Sequence, residues 1–145
     1  MKILSEFPEL RTALHTANQR HKRLRETFKG FALQAERLPS SGLVSDIEVM
    51  PLDDDHFNTK FLDRELTFTF SSKLSESGVL VGVVSCYLLR GQAESSIKVE
   101  ELIFHPNGET DLALPNKDGD VAYIADDLHA WRLMLQFIHE SLRLP

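Results

Sequence analysis

The residues with the clearest potential for chemistry stand together at positions 53–56, where three consecutive aspartates precede His56. Carboxylate and imidazole groups in one turn could hold a hard divalent cation or position a general base. Three adjacent acidic residues are also common in a solvated turn, and consecutive side chains cannot all converge on one ion. The sequence therefore predicts a replaceable polar turn and no metal site.

Other catalytic and metal-binding patterns are absent from the sequence. None of the six histidines pairs at the i, i+4 spacing that directs two imidazole rings at one ion. The phosphate-binding glycine loop, the G-x-S-x-G turn and paired cysteines are missing as well. The one cysteine, Cys86, lies in the most apolar segment, where a thiol behaves as a small hydrophobic side chain. We expect no cofactor, and the sequence leaves enzymatic activity uncertain, with binding favoured over catalysis.

The first element that must position any site is a long helix within residues 1–38. Apolar or small residues recur there every three or four positions, and Pro39 and Gly42 end the pattern. A helix over residues 6–37 would extend about 47 Å, whereas a compact domain of this length is about 38 Å across. We therefore predict that the helix overhangs its own body or bends, and that it either winds around a partner or breaks at Gly30.

The apolar stripe of this helix predicts a homodimer, because an overhanging stripe stays exposed unless a second chain covers it. The flanking positions lack the alternating charges that join two identical parallel helices. An antiparallel pair, or a helix packed across another protomer, is favoured. The predicted interface consists of five stripe residues, which are Leu10, Leu14, His21, Leu24 and Phe28.

Residues 43–124 predict an antiparallel sheet of about 4–6 strands. Residues 43–49 and 62–70 alternate apolar with polar side chains, which predicts a hairpin around the turn at 53–56. Residues 79–89 are apolar on both parities, as expected of a central strand covered on both faces. Asn107 and Gly108 mark a further tight turn.

Residues 126–143 predict a C-terminal helix packed on the sheet, with Asp126 as a natural cap. A ligand pocket between this helix and the sheet would be lined by Phe68, Phe70, Trp131 and Met134. Together these elements predict one α+β domain over residues 1–145.

Charge is divided unevenly along the chain. Residues 1–37 hold eight Lys/Arg and four Asp/Glu, whereas residues 38–145 hold eight and eighteen. The basic run from Arg20 to Arg25 could contact nucleic acid, but helical spacing spreads its cations and no aromatic side chain is interleaved for stacking. A basic helix beside an acidic body, in one molecule or dimer, is favoured over a nucleic-acid partner.

Hydropathy gives no indication of a membrane partner or of export. No apolar run approaches the roughly 20 residues that a bilayer span needs. The N-terminal residues also lack the apolar core of a signal peptide, so a cytoplasmic location is expected.

Three hypotheses about function stay open. The leading one is a small cytoplasmic protein that acts by binding, as a homodimeric interaction or ligand-binding module. The alternative is a small enzyme or small-molecule-binding protein with a pocket between the sheet and the C-terminal helix. The third is an acidic inhibitor or immunity-type protein that engages a basic partner.

Overall fold

The computed structural model describes residues 1–3, 5–53, 55–115 and 119–145, with the backbone alone at residues 52 and 92–94. In this part of the chain a long helix leads into an antiparallel sheet of seven strands, and a second helix follows. The predicted α+β class and both predicted helices are confirmed, and the sheet exceeds the expected 4–6 strands. The elements are α1 (Phe7–Arg37), a 3₁₀ turn (Leu38–Ser41), β1 (Glu48–Asp53), β2 (His56–Phe61), β3 (Arg64–Leu74), β4 (Leu80–Arg90), β5 (Gln92–Phe104), β6 (Glu109–Ala113), β7 (Val121–Tyr123) and α2 (Asp127–Ser141).

The seven strands lie side by side in chain order, so each pairs with its sequence neighbours. Strand β4 is the fourth of the seven, and residues 81–86 are all buried. The predicted central position of this strand is therefore confirmed, and its side chains are buried on both parities. The predicted turn at Asn107 and Gly108 is also confirmed, because the N–H of Gly108 donates to the carbonyl of His105 at 2.8 Å between β5 and β6.

The predicted hairpin between residues 43–49 and 62–70 is wrong, because a further strand lies between them. Strand β1 pairs with β2, which pairs in turn with β3. A two-residue turn at Leu62 and Asp63 connects β2 to β3, and both residues have left-handed φ angles, 51° and 60°. Asn and Gly are the usual residues at such positions, so the sequence alone predicts that Leu62 belongs to a strand.

Both helices pack on the same face of the sheet. The ring of Phe28 in α1 lies 5.8 Å from Phe57 and 5.6 Å from Phe70, and that of Phe137 in α2 lies 5.4 Å from Phe68. Phe57 and Phe68 are opposite each other in the register of β2 and β3, with ring centroids 4.9 Å apart. These phenylalanines belong to one hydrophobic core shared by the sheet and both helices.

Helix α1 is continuous through Gly30 and overhangs the sheet. A Cβ at Gly30 would meet Ala125 at 3.6 Å, an ordinary contact distance, so the glycine lies inside a packed helix and does not break it. The buried residues of α1 begin only at Leu24. Residues 7–19 are exposed apart from the half-buried Ala17, which confirms the predicted overhang.

Side chains hold both ends of α2. At its start the carboxylate of Asp126 accepts from the backbone N–H of His129 at 3.2 Å, which confirms the predicted cap. At its end the guanidinium of Arg64 donates to the carbonyls of Ser141 and Leu144, each at 2.7 Å. Arg64 begins β3, so it attaches the end of the helix to the sheet.

Candidate functional site

The overhanging part of α1, residues 7–19, is the first candidate surface and is called the projecting segment below. It is about 20 Å long at the helical rise per residue. Phe7, Leu10 and Leu14 lie along one side of it and are 78%, 47% and 71% exposed. No other part of the described chain buries these three side chains. The segment is thus an apolar helix surface without a partner in the monomer.

The projecting segment is anchored where it meets the sheet. Arg20 Nε donates to the carbonyl of Leu80, and His21 Nδ1 lies 2.6 Å from the Ser72 hydroxyl. Arg25 contacts both oxygens of Asp55, with Nε 3.0 Å from Oδ1 and Nη2 3.2 Å from Oδ2. These polar contacts mark the point at which α1 leaves the body.

The five predicted interface residues divide between the surface and the core. Leu10 and Leu14 lie on the projecting segment, and His21 lies at its base with its ring 5.2 Å from that of Phe70. Leu24 and Phe28 are 0% exposed within their own chain. These two are not available to a partner, because the sheet already covers them. Helical periodicity shows one continuous stripe and does not reveal where the sheet ends beneath it.

An open cleft between the sheet and α2 is the second candidate surface, called the β5–α2 cleft below. Its volume is about 630 Å³. Leu102 of β5, Leu112 of β6 and Ala122 of β7 line it from the sheet, and Leu133 and Phe137 line it from α2. The cleft therefore combines an apolar floor with space for a ligand.

Two glutamates of β5 border this cleft. Glu101 pairs with Lys98, and the hydrogen bond from that ammonium group lowers the pKa of Glu101 and raises the pKa of Lys98. Glu100 is exposed, and its Oε1 accepts from the backbone N–H of Glu101 at 3.1 Å. Glu100 is thus an acidic group in a position to meet a ligand.

Helix α2 adds one acidic and two other polar groups to the cleft. Glu140 is half-buried, 3.3 Å from Gln136 Nε2 and 3.2 Å from Arg143 Nε. Arg132 is exposed on the same helix. With Glu100 and Glu101 included, the lining carries three carboxylates and one guanidinium, but Lys98 and Arg143 pair with Glu101 and Glu140, so the charges around the cleft balance.

The four predicted pocket residues are not the residues that line this cleft. Phe68 and Met134 are 0% exposed and Phe70 is 7% exposed, and all three fill the core. Trp131 is half-buried, donates from Nε1 to the carbonyl of Gln34 at 2.7 Å, and lines a neighbouring groove of about 720 Å³. A cleft does lie between the sheet and the C-terminal helix, but Phe68, Phe70 and Met134 lie in the core beside it.

The residues whose types could bind a metal or act as a nucleophile are the aspartates at 53–55, His56 and Cys86. Asp54 lies outside the described residues, and Asp55 pairs with Arg25. In the described ranges no three His, Cys, Asp or Glu side chains are grouped to hold a metal ion. Cys86 is fully buried, and burial raises the pKa of its thiol far above the ordinary value, which keeps it protonated.

Comparison with known proteins identifies no relative of this chain: no family model, curated protein or solved structure matches it. In the described part of the chain neither helix has the combined length and apolar character needed to cross a membrane. The projecting segment and the β5–α2 cleft are therefore the two surfaces that can indicate a function.

Proposed function

We propose that this protein acts by binding, as a homodimer whose copies meet through the projecting segments of α1. The observation that carries the proposal is the exposure of Phe7, Leu10 and Leu14 on a helix that extends beyond its own sheet. A second copy would remove this apolar surface from water, which is the main favourable term in association. A cytoplasmic location is part of the proposal, and the single free thiol, Cys86, suits a reducing compartment.

The charges of the helix favour an antiparallel pair of projecting segments. Glu6 and Glu9 stand at the start of the helix, and Lys22 and Arg23 follow the segment; all four are exposed. In an antiparallel pair the acidic end of one copy lies beside the basic end of the other. A parallel pair would place like charges together, which is unfavourable.

Sedimentation velocity over a concentration series tests the proposal. We expect wild type to reach twice the monomer mass of 16.5 kDa at tens of micromolar, and Leu10→Glu with Leu14→Glu to remain monomeric. Leu33→Glu is the matched control, because Leu33 is 55% exposed on the same helix outside the projecting segment. Wild type that stays monomeric throughout the series would overturn the proposal.

Charge reversal tests the antiparallel orientation. Glu6→Lys with Glu9→Lys should weaken the dimer, and adding Lys22→Glu with Arg23→Glu should restore it, because the opposite charges then face each other again. A parallel dimer would gain no recovery from the second pair of substitutions.

Binding of a ligand in the β5–α2 cleft is a second candidate function, supported by its apolar floor and its few polar groups. Titration with a neutral, environment-sensitive apolar dye tests it. Ala113→Trp, at an exposed lining residue, should fill part of the cleft and reduce dye binding, whereas Leu74→Trp at an exposed site elsewhere should not. Equal binding by both variants would place the dye outside the cleft.

A further inference from the structure

The apolar stripe of the projecting segment limits how two copies can align. Phe7, Leu10 and Leu14 follow each other at spacings of three and four residues, and Ala17 and His21 continue the same stripe. In an antiparallel helix pair these positions meet in layers, each with one residue from either copy. In one such register Leu10 of one copy faces Leu14 of the other. Phe7 then faces Ala17, which brings the largest side chain of the stripe against the smallest.

The two neighbouring registers conflict with the ends of the projecting segment. A shift of seven residues in one direction places Leu14 opposite Ile3, which precedes the start of the helix. The opposite shift places Phe7 opposite Leu24, which is fully buried under the sheet of its own chain. The register with Leu10 opposite Leu14 therefore covers the exposed stripe on both copies and avoids the sheet.

The turn that joins β3 to β4, residues 74–80 and called the β3–β4 hairpin below, lies beside Ala17. His21 Nδ1 is 2.6 Å from the hydroxyl of Ser72. Leu74 follows on the same face of β3, about 7 Å farther toward the end of the sheet. Ala17 is about 6 Å from His21 along the helix, in the direction in which α1 leaves the sheet. Leu74 and Ala17 are therefore level with each other.

The β3–β4 hairpin carries apolar side chains that its own chain leaves uncovered. Leu74 and Val79 are 65% and 40% exposed. The N–H of Ser75 donates to the carbonyl of Val79 at 2.8 Å, which closes the turn. Leu80, opposite Leu74 in the register, accepts from Arg20 Nε through its carbonyl, which holds the hairpin against the helix. A fixed apolar surface thus lies next to the base of the projecting segment.

A stable dimer needs more surface than the two projecting segments alone provide. A standard protein–protein interface takes about 20–30 residues from each partner. The projecting segment spans only residues 7–19, and one side of it can face a second helix. The body must therefore contribute to the interface, and the β3–β4 hairpin is the part of the body that Phe7 of a second copy reaches.

We propose that Phe7 of each copy docks against Ala17 of the second copy and against its β3–β4 hairpin, beside Leu74 and Val79. The inference rests on the proposed homodimer and specifies its register and its second contact surface. The contact occurs twice, once on either side of the two-fold axis. Aromatic side chains enclosed in this way commonly contribute a large share of the affinity.

Disulfide trapping above the dissociation constant tests the register. Phe7→Cys with Ala17→Cys in one chain should give a covalent dimer under mild oxidation. Within one chain the two positions are about 15 Å apart along the helix, which is too far for an internal disulfide. Phe7→Cys alone should give little covalent dimer, whereas a parallel dimer would trap it efficiently. The native Cys86 is fully buried and does not compete. Trapping of Phe7→Cys alone, or none with both cysteines, would overturn the proposal.

Sedimentation velocity tests the contact with the hairpin. Leu74→Glu should raise the dissociation constant of the dimer about tenfold or more, because it places a carboxylate against Phe7. Leu128→Glu is the matched control, since Leu128 is 66% exposed on α2, and should leave the constant unchanged. Phe7→Ala should also weaken the dimer, and Leu74→Glu should then have little further effect, because both substitutions remove the same contact. Full additivity of the two effects would contradict the contact.

The same measurements separate failure of this inference from failure of the proposed homodimer. A wild-type dimer that Leu10→Glu with Leu14→Glu disrupts and Leu74→Glu leaves intact would keep the homodimer and overturn the docking of Phe7 on the hairpin. A wild type that stays monomeric would overturn both.

Discussion

Arg64 connects two layers of the molecule with one side chain. Its two terminal nitrogens donate to the carbonyls of Ser141 and Leu144, at the end of α2 where helical carbonyls lack partners within the helix. The positive charge also interacts favourably with the negative end of the helix dipole. Because the side chain is half-buried, water replaces these bonds poorly.

Replacing Arg64 should therefore destabilise the fold. We expect Arg64→Ala to lower the free energy of unfolding by about 1–2 kcal/mol, and Arg64→Lys to lose less because one donor remains. Chemical denaturation measures both, with Arg37→Ala as the control at an exposed arginine. Equal stability of Arg64→Ala and wild type would show that the two carbonyls are satisfied by water.

The Lys98–Glu101 pair predicts a local pH dependence. Lys98 lowers the pKa of Glu101 in the folded protein, so the unfolded chain binds that proton more readily. The stabilising contribution is complete above the unfolded value of about 4.3 and is lost as the pH falls through the lower folded pKa. In Lys98→Met the pKa of Glu101 should rise toward its ordinary value, as followed by NMR titration of its side chain. An unchanged titration curve would contradict the pairing.

At the scale of elements, Gly82 shows how closely β4 and β5 approach. A Cβ at this position would lie 2.3–2.7 Å from three ring atoms of Phe104, its register partner. Gly82→Ala should therefore cost about 1–3 kcal/mol of stability through overpacking. Gly30→Ala is the matched control, since its Cβ would meet Ala125 at 3.6 Å and the helix would gain up to about 1 kcal/mol. Thermal unfolding compares the two, and equal effects would show that Phe104 moves aside without cost.

The elements that the sequence predicts well are those specified by local patterns. The periodicity of α1, the cap Asp126 and the Asn107-Gly108 turn all depend on neighbouring residues. The residue types do not predict the turn at Leu62 and Asp63, because its left-handed backbone is imposed by the pairing of β2 with β3. Gly30 is a second case, because α1 continues through it, between the buried Phe28 and Phe31, despite the cost of glycine in a helix.

At the scale of the whole molecule, the candidate sites arise from where elements end or separate. The overhang of α1 could be predicted because helix length and domain diameter follow from the sequence. The β5–α2 cleft could not be predicted, because it depends on how β5 and β6 separate away from the pair of Phe104 with Thr110. An apolar side chain such as Met134 can fill a core or line an opening, and the sequence does not distinguish the two. Its complete burial in the structure shows that it fills the core.

Self-association of the whole molecule predicts that its melting temperature depends on concentration, because a partner that binds only the folded state stabilises it by mass action. Above the dissociation constant, we expect a rise of about 2 °C for each tenfold increase in protein concentration. In Leu10→Glu with Leu14→Glu this dependence should disappear, while the melting temperature at high dilution should match wild type, since neither leucine belongs to the core. Leu33→Glu should retain the dependence. Scanning calorimetry over a hundredfold concentration range measures all three proteins, and a concentration-independent wild type would mean that the projecting segment stays exposed in the folded monomer.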